Sequence, residues 1–571
     1  MVIYKETKWS LKELFMKPVA TYQKLRGGYY TPKPIADFLT RWAIQTATTK
    51  VLEPSCGDGI LLEAAVEALI KCGAERATAP GSIHGIELDP QEAQKASERI
   101  QALTGTAFPP QIHVGDFFAY CQRYLFEDRR FDAIIGNPPF IRYQNFPENH
   151  RAIAFYLMQR AGLHPNRLTN SWVPFLVAAT LLLNEHGRLA MVIPAELLQV
   201  NYAAELRYFL SRHYTYLTLV TFKKLLFDGA QQEVVLLLGE RNGNEPTGIR
   251  TIELEGIDNL ASYEYATFLG ERLKEMDHSS EKWTMYFLEE EEIHLLRSLR
   301  SNSRLTIAQN VIGVDVGIVT GLNEFFVLTE QQVEEYSLRP YTQRLVGRSA
   351  HLPGILFSET DWMANVENQS PAFLLRLPDV PFHSLPSEVK EYVLNGEEKG
   401  LNKGYKCRIR DRWYIVPSVW IPQAFMLRQV HSYPKIILND AAATCTDTIH
   451  RVKLRNGVPA RTVAAAFLNS LTFAFSEVMG RSYGGGILEL EPNEAEKLPL
   501  PLMGADTLDL DELDKLLREG NIYAVLDITD EVLLRKGIDL SMEKTRLLRT
   551  IWQKLRDRRI NRKLDYSVRR V

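Results

Sequence analysis

Between Val51 and Leu62 the chain reads Val-Leu-Glu-Pro-Ser-Cys-Gly-Asp-Gly-Ile-Leu-Leu, and this stretch narrows the fold more than any other. A short apolar run enters a turn with two glycines, and a pattern rich in Ala, Leu and Glu then predicts a helix over Leu61 to Ile70. Glycines at such a turn let backbone approach a ligand at the helix N-terminus. No Lys-Ser/Thr follows Gly59, so this is not a Walker A loop, and the dinucleotide GxGxxG spacing is also missing. Two more units repeat the plan. Ile83 to Glu87 runs into Glu-Leu-Asp-Pro, and Gln111 to Val114 runs into Gly115-Asp116-Phe117-Phe118. Three strand ends in succession, each closing a βα unit, predict a parallel α/β sheet with acids at its carboxyl edge. In nucleotide-binding units of this kind the acid ending the second strand takes ribose hydroxyls, which makes Glu87 the candidate here. Asp116 is the candidate acceptor for an adenine amino group, and Phe117 the candidate packing partner of its ring.

A fourth apolar run, Phe131 to Gly136, ends in Asn137-Pro138-Pro139-Phe140. The prolines fix φ, remove two donors and restrict the residues before them, so neither strand nor ordinary helix continues. What remains is a stiff loop at a strand's carboxyl end, where open α/β sheets bind ligands. It carries an amide, two free carbonyls and an aromatic ring. Upstream, Gly27-Gly28-Tyr29-Tyr30-Thr31-Pro32 is turn chemistry, and Thr31 starts an amphipathic helix over Pro34 to Ile44. Downstream, Ser171 to Leu183 reads as an apolar helix, Gly187 to Pro194 as a fifth strand and Glu196 to Leu210 as helical. Leu217 to Phe222 and Glu233 to Leu238 read as closing strands, with Leu226-Phe227-Asp228-Gly229 a pocket-edge loop between them.

A net charge of −3 over 571 residues does not by itself mark a nucleic-acid binder, but the distribution is uneven. Residues 541–571 hold eleven Lys/Arg against three acids. This basic helical tail is a candidate clamp on a DNA backbone, with partner-binding or solvated helix as alternatives. Lys403 to Tyr414 interleaves bases with aromatics, so Lys406, Arg408, Arg410, Arg412 and Trp413 are candidate DNA contacts. Arg481, beside Ser482-Tyr483-Gly484-Gly485-Gly486, is another. The run Glu289 to Glu292 reads as solvated surface. Five cysteines form no CxxC pair, which argues against disulfides and zinc and fits a reducing, cytoplasmic compartment. No metal ligand set, signal peptide or membrane span is expected.

The order of these motifs resembles one family. Tyr-Thr-Pro, Glu-Pro-x-Cys-Gly-x-Gly, Glu-Leu-Asp-Pro, Gly-Asp-Phe and Asn-Pro-Pro-Phe, followed by a long C-terminal portion, is similar to the TaqI-type, gamma-class adenine-specific DNA methyltransferases. The specific likeness spans residues 20 to 245. It continues more loosely through Gly313 to Gly321 and Gly480 to Gly486, which resemble recognition-domain segments. The resemblance implies an α/β, Rossmann-like class I methyltransferase domain, then a sheet-rich α+β target recognition domain and a basic helical C-terminus. The expected boundaries are a lead at 1–26, catalysis at 27–245, a connection at 246–300, recognition at 301–505 and the tail at 506–571.

The same resemblance implies S-adenosyl-L-methionine as cofactor. Thr31, Glu53 and the Gly57/Gly59 turn would hold its methionine part, Glu87 its ribose, and Asp116 with Phe117 its adenine. The expected reaction is methylation of adenine's exocyclic amine in a defined sequence of duplex DNA by a monomeric enzyme, the modification half of a restriction–modification pair with a cognate endonuclease. That amine is a poor nucleophile and lies inside the duplex, so the base must be flipped out. Asn137 and Pro138 would offer acceptors to its two hydrogens, and Phe140 would stack on the base, with Phe227 as a second contact by resemblance. The family more often has Tyr where Phe140 stands, so one hydroxyl contact is lost and stacking is kept. A cytosine-C5 enzyme would need Cys after Pro, and no Pro-Cys dipeptide occurs. The rival readings are an RNA or protein-glutamine methyltransferase with the same loop, a fused restriction–methylation enzyme, and a non-catalytic DNA-binding protein on a decayed methyltransferase fold.

Overall fold

The computed structural model describes residues 30–105, 110–225, 233–242, 248–263, 270–277, 281–483 and 485–564. The chain divides into two compact units, Met1–Phe227 with Glu233–Glu281, and Asp228–Gln232 with Lys282–Val571.

The first unit is built on one sheet. Helix α1 (Lys33–Ala43) starts behind Pro32 and is followed by β1 (Val51–Glu53), α2 (Ile60–Lys71), β2 (Ile83–Glu87), α3 (Pro90–Thr104), β3 (Gln111–Val114), α4 (Phe117–Phe126) and β4 (Phe131–Gly136). Then come α5 (Glu148–Arg160), α6 (Trp172–Leu182), β5 (Leu183–Pro194), α7 (Ala204–His213), β6 (Tyr216–Phe222), β7 (Val234–Glu240) and β8 (Gly248–Leu254). The strand order is β3-β2-β1-β4-β5-β7-β6-β8. Strands β3, β2, β1, β4 and β5 pair in parallel, while β7 runs antiparallel between β5 and β6.

Burial on both faces explains why the strands read as nearly unbroken apolar runs. Alternate side chains (Val51, Ala133, Ile135, Ala190, Val192) join a core with α1, α2 and α3. Their neighbours Leu52, Ile134, Leu189 and Met191 are buried too, pointing the other way. Helices α4, α5 and α6 pack on one another as a second layer. The register pairs Val51 with both Ile83 and Ala133, so Glu53, Glu87 and Asn137 end up at one edge of the sheet.

Strand β8 corrects the expected boundary at 245. It pairs in parallel with β6 along Tyr216–Phe222, and the first unit runs on to Glu281. No glycine-rich linker signal marks that end, because the strand is closed by sheet pairing rather than by turn chemistry.

The second unit also departs from the expected partition. It contains a five-stranded sheet (Ile312–Val316, Ile449–Leu454, Ala424–Leu427, Ile436–Asn439, Leu356–Phe357) and a four-stranded one built around Thr342–Val346 and Phe373–Leu375. Its main segment begins at Lys282, before residue 301, and includes α8 (Glu290–Arg300). Glu289 and Glu292 form the capping box of this helix, and Glu292 is buried against Lys554, so that part of the acidic run is not solvated surface. The tail is not a separate segment either. Its helix α10 (Met542–Ile560) packs along α9 (Ser470–Met479) through Trp552 and Phe473, inside the same unit. Among the described residues, no single helix is long and apolar enough to cross a membrane.

Candidate cofactor and catalytic site

The site is assembled at the carboxyl edge of β1, β2, β3 and β4. Gly57 and Gly59 take positive φ of 51° and 86° in the turn after β1. A Cβ at Gly59 would lie 2.7 Å from the Ala96 Cα of α3, whereas one at Gly57 would meet nothing within 4 Å. Gly59 therefore lets α3 close on the turn, and Gly57 leaves open space where a ligand can approach backbone. Arg99 of α3 locks this turn. It donates to the Asp58 carbonyl at 2.9 Å, the Asp58 carboxylate at 2.7 Å and Glu63 at 2.9 Å. Nothing in the local pattern around Arg99 signals that role, because its partners lie one βα unit earlier.

Glu87 accepts from the Gly57 N–H and from the Asp89 N–H, each at 2.9 Å. The carboxylate expected to face a ribose is thus held by both neighbouring turns. Glu53 is different. It is 2 % exposed, and its Oε2 has no hydrogen-bond partner among the described residues. Burial, followed by Glu87 and Asp58, pushes its pKa well above the usual carboxylate range. An unsatisfied acid in an acidic setting suits a cationic ligand, and the ammonium and sulfonium of S-adenosylmethionine answer that need. The Cys56 thiol beside it is buried, and burial above all raises its pKa well above normal.

Asp116 caps α4 through Ala119 N–H at 2.9 Å and pairs with His150 Nδ1 of α5. The helix cap and the adenine-acceptor candidate are therefore the same residue, and its partner His150 was not evident in the sequence. Phe117 is buried and stacks on Phe175 at 5.1 Å, so one face of the ring belongs to the core.

On the Asn-Pro-Pro-Phe loop, Asn137 Nδ2 donates to Thr31 Oγ1 at 3.2 Å, and Ser55 donates to the Asn137 carbonyl at 3.4 Å. Thr31 is buried. Pro138 is buried as well, and among the described residues nothing donates to its carbonyl. Phe140 is half-buried against the core. The Pro139 carbonyl accepts from the Ser171 hydroxyl, a partner that sequence reasoning missed. Phe227 lies outside the described residues.

The second unit sorts the six expected DNA contacts. Arg410 donates to the Val319 and Thr320 carbonyls at 3.2 and 2.7 Å. Arg412 pairs with Asp379, while Trp413 donates to Glu397 at 2.8 Å and packs on Phe325. Arg481 donates to buried Glu494 at 2.9 Å. These four make internal contacts. Lys406 and Arg408 are exposed, beside the exposed Tyr405 and Ile409. Three cations of the basic tail are engaged within the unit as well. Arg549 pairs with Asp527 and Asp530, Lys554 with Glu289 and Glu292, and Arg559 with Glu477 at 2.7 Å, where both side chains are almost fully buried. Among the described residues no group of His, Cys, Asp or Glu is arranged to hold a metal.

Strand order, glycine turn, strand-end acids and the Asn-Pro-Pro loop together define a class I S-adenosylmethionine-dependent methyltransferase. Two family models match, the Eco57I restriction-modification methylase over residues 61–227 and the C-terminal domain of the type II methyltransferase M.Eco57I over 280–534. The chain belongs to this family of restriction–modification methylases. It is 21 % identical over 525 residues to the type II methyltransferase M.AccI of Acinetobacter calcoaceticus, covering 89 % of this chain and 91 % of that protein. It is 24 % identical over 554 residues to M.BstVI of Geobacillus stearothermophilus, covering 88 % and 94 %. The fold is similar to that of the type IIL restriction-modification enzyme MmeI, solved in complex with DNA. The TM-score is 0.56 and the identity 11 %, over 92 % of this chain and 75 % of that one.

Proposed function

We infer that this methylase transfers a methyl group to the exocyclic amine of adenine in a defined sequence of duplex DNA, as the modification component of a restriction–modification pair. The observation that carries the reading is the hydrogen bond from Asn137 Nδ2 to Thr31 Oγ1. The amide nitrogen is turned to Thr31, and we assign the side-chain oxygen as the acceptor for the amine. The Pro138 carbonyl, which lacks a donor among the described residues, is the second acceptor. Two acceptors on the two amine hydrogens draw nitrogen towards a tetrahedral shape and free its lone pair. Bound S-adenosylmethionine supplies an electrophilic methyl group. Fixed dipoles and positioning provide most of the acceleration, so no covalent enzyme intermediate is needed.

The amine must leave the helix to reach this loop, which calls for base flipping. Phe140 is the stacking platform, and such stacking is worth about 1–3 kcal/mol per base. Glu53 and the Gly57 turn would hold the methionine part of the cofactor, Glu87 the ribose and Asp116 the adenine. In the second unit, Lys406 and Arg408 are the proposed phosphate contacts, with Tyr405 and Ile409 beside them. Tritiated methyl transfer to duplex DNA, tRNA and protein in parallel tests the substrate class. Sequencing for methylated bases in DNA from cells expressing the chain tests base and site together. N4-methylcytosine, or labelling confined to tRNA or protein, would overturn the reading.

A further inference from the structure

We propose that Ser171 is the positioning residue of the catalytic loop, fixing Phe140 through the two peptide groups that flank it. This rests on the reading of Asn137 to Phe140 as the methyl-transfer loop. Ser171 is fully buried at the start of α6, thirty-odd residues beyond the loop. Its hydroxyl donates to the Pro139 carbonyl and accepts from the Ile141 N–H at 2.8 Å. Its own N–H donates to the Ile141 carbonyl at 2.9 Å. A further approach to Asn170 Oδ1 at 3.5 Å is at the limit of a hydrogen bond.

The need for such a clamp follows from the loop's composition. Two successive prolines bring no N–H groups, and the segment pairs with no strand, so its buried polar groups must find partners elsewhere. One hydroxyl meets the carbonyl before Phe140 and the N–H after it. Both peptide planes are thereby fixed, and with them the direction in which the ring leaves the backbone. The same contact engages the Pro139 carbonyl, whereas among the described residues nothing donates to the Pro138 carbonyl. A main-chain donor could satisfy one of these groups, whereas a hydroxyl donates and accepts strongly at the same point.

The test uses the full chain, S-adenosylmethionine and duplex DNA. Ser171→Ala is expected to lower kcat about 10- to 100-fold, as misplacement of a reacting group does, with the cofactor KM unchanged. Phe140→Ala alone should be costly, and adding Ser171→Ala to it should cost little more, because Ser171 acts through that ring. Hydrogen exchange in the peptide spanning residues 137–145 should be slow in the native protein and fast in Ser171→Ala. A kcat within about twofold of native, losses that multiply in the double variant, or fast exchange of the native segment would each overturn the proposal. Should Ser171→Ala fail to fold, the same-sized Ser171→Cys, a weak donor, replaces it, and the native exchange measurement stands regardless. A native chain that methylates no DNA defeats the functional reading instead, while the exchange result still reports on the clamp.

Discussion

Asn137 and Thr31 are 106 residues apart in the chain and are joined by a 3.2 Å hydrogen bond from side-chain amide to hydroxyl. In this arrangement the amide nitrogen faces Thr31, and on the proposed reading the oxygen faces the amine of the substrate. Asn137→Ala is therefore expected to remove an acceptor at the point of reaction. Loss of one preorganised polar group of this kind costs about 10²–10³ in kcat. Cofactor affinity, measured by calorimetry, should stay near native. Thr31→Val should give a smaller kcat loss, because Asn137 remains but is no longer oriented.

Glu53 combines burial, an unpartnered oxygen and acidic neighbours. Burial raises its folded-state pKa, so the neutral form is favoured in the cofactor-free protein. The stability this group contributes is full below the ordinary carboxylate pKa and is lost as pH rises through the raised value. Glu53→Gln should accordingly raise the melting temperature of the cofactor-free protein at pH 8 and change it little at pH 4.5. The same substitution should weaken S-adenosylmethionine binding roughly 10- to 100-fold, the range of a charge-assisted hydrogen bond. Thermal scans across pH with and without cofactor check both signs.

Lys406 and Arg408 differ from Arg410, Arg412 and Arg481 in being exposed. If each meets one phosphate, the double Ala variant should flatten the slope of log K against log salt by about 2, at roughly 0.9 per phosphate. Binding by a labelled duplex at several salt concentrations measures this. Arg481→Ala should leave that slope unchanged, because its guanidinium is engaged by Glu494, and should lower thermal stability instead.

Arg559 and Glu477 form a pair with side chains only 2 % and 3 % exposed. Burial raises the Glu477 pKa, while Arg559 acts against it. Removing one partner leaves an uncompensated buried group, a loss of about 3–5 kcal/mol. Arg559→Ala should thus unfold the second unit at lower denaturant. Arg546→Ala, on the same helix, should have little effect.

The catalytic half was legible because its signals are local. Each of Glu53, Glu87, Asp116 and Asn137 follows an apolar run within a few residues, and the strand-to-turn transition shows in the residue types themselves. Helix α1 and strands β1 to β6 fall close to where periodicity places them. The edge strand β8 did not stand out, because pairing with β6 rather than any turn signal makes it part of the sheet. In the second unit short strands and Gly/Pro turns were readable, but not which charges faced water.

From the sequence alone came the order of βα units, the acids at the strand ends, the stiff Asn-Pro-Pro loop and, through them, the methyltransferase class. Tertiary structure decided which polar groups meet. It brought Thr31 to Asn137, Ser171 to Pro139 and Ile141, His150 to Asp116 and Arg99 to Asp58. It also paired Arg549, Lys554 and Arg559 of the basic tail with Asp527, Asp530, Glu289, Glu292 and Glu477. The physical reason is range. Backbone periodicity and proline stiffness act over a few residues and leave their mark in the chain. A charge or hydroxyl takes its partner from whatever the fold places within about 3 Å, and that depends on residues a hundred positions away.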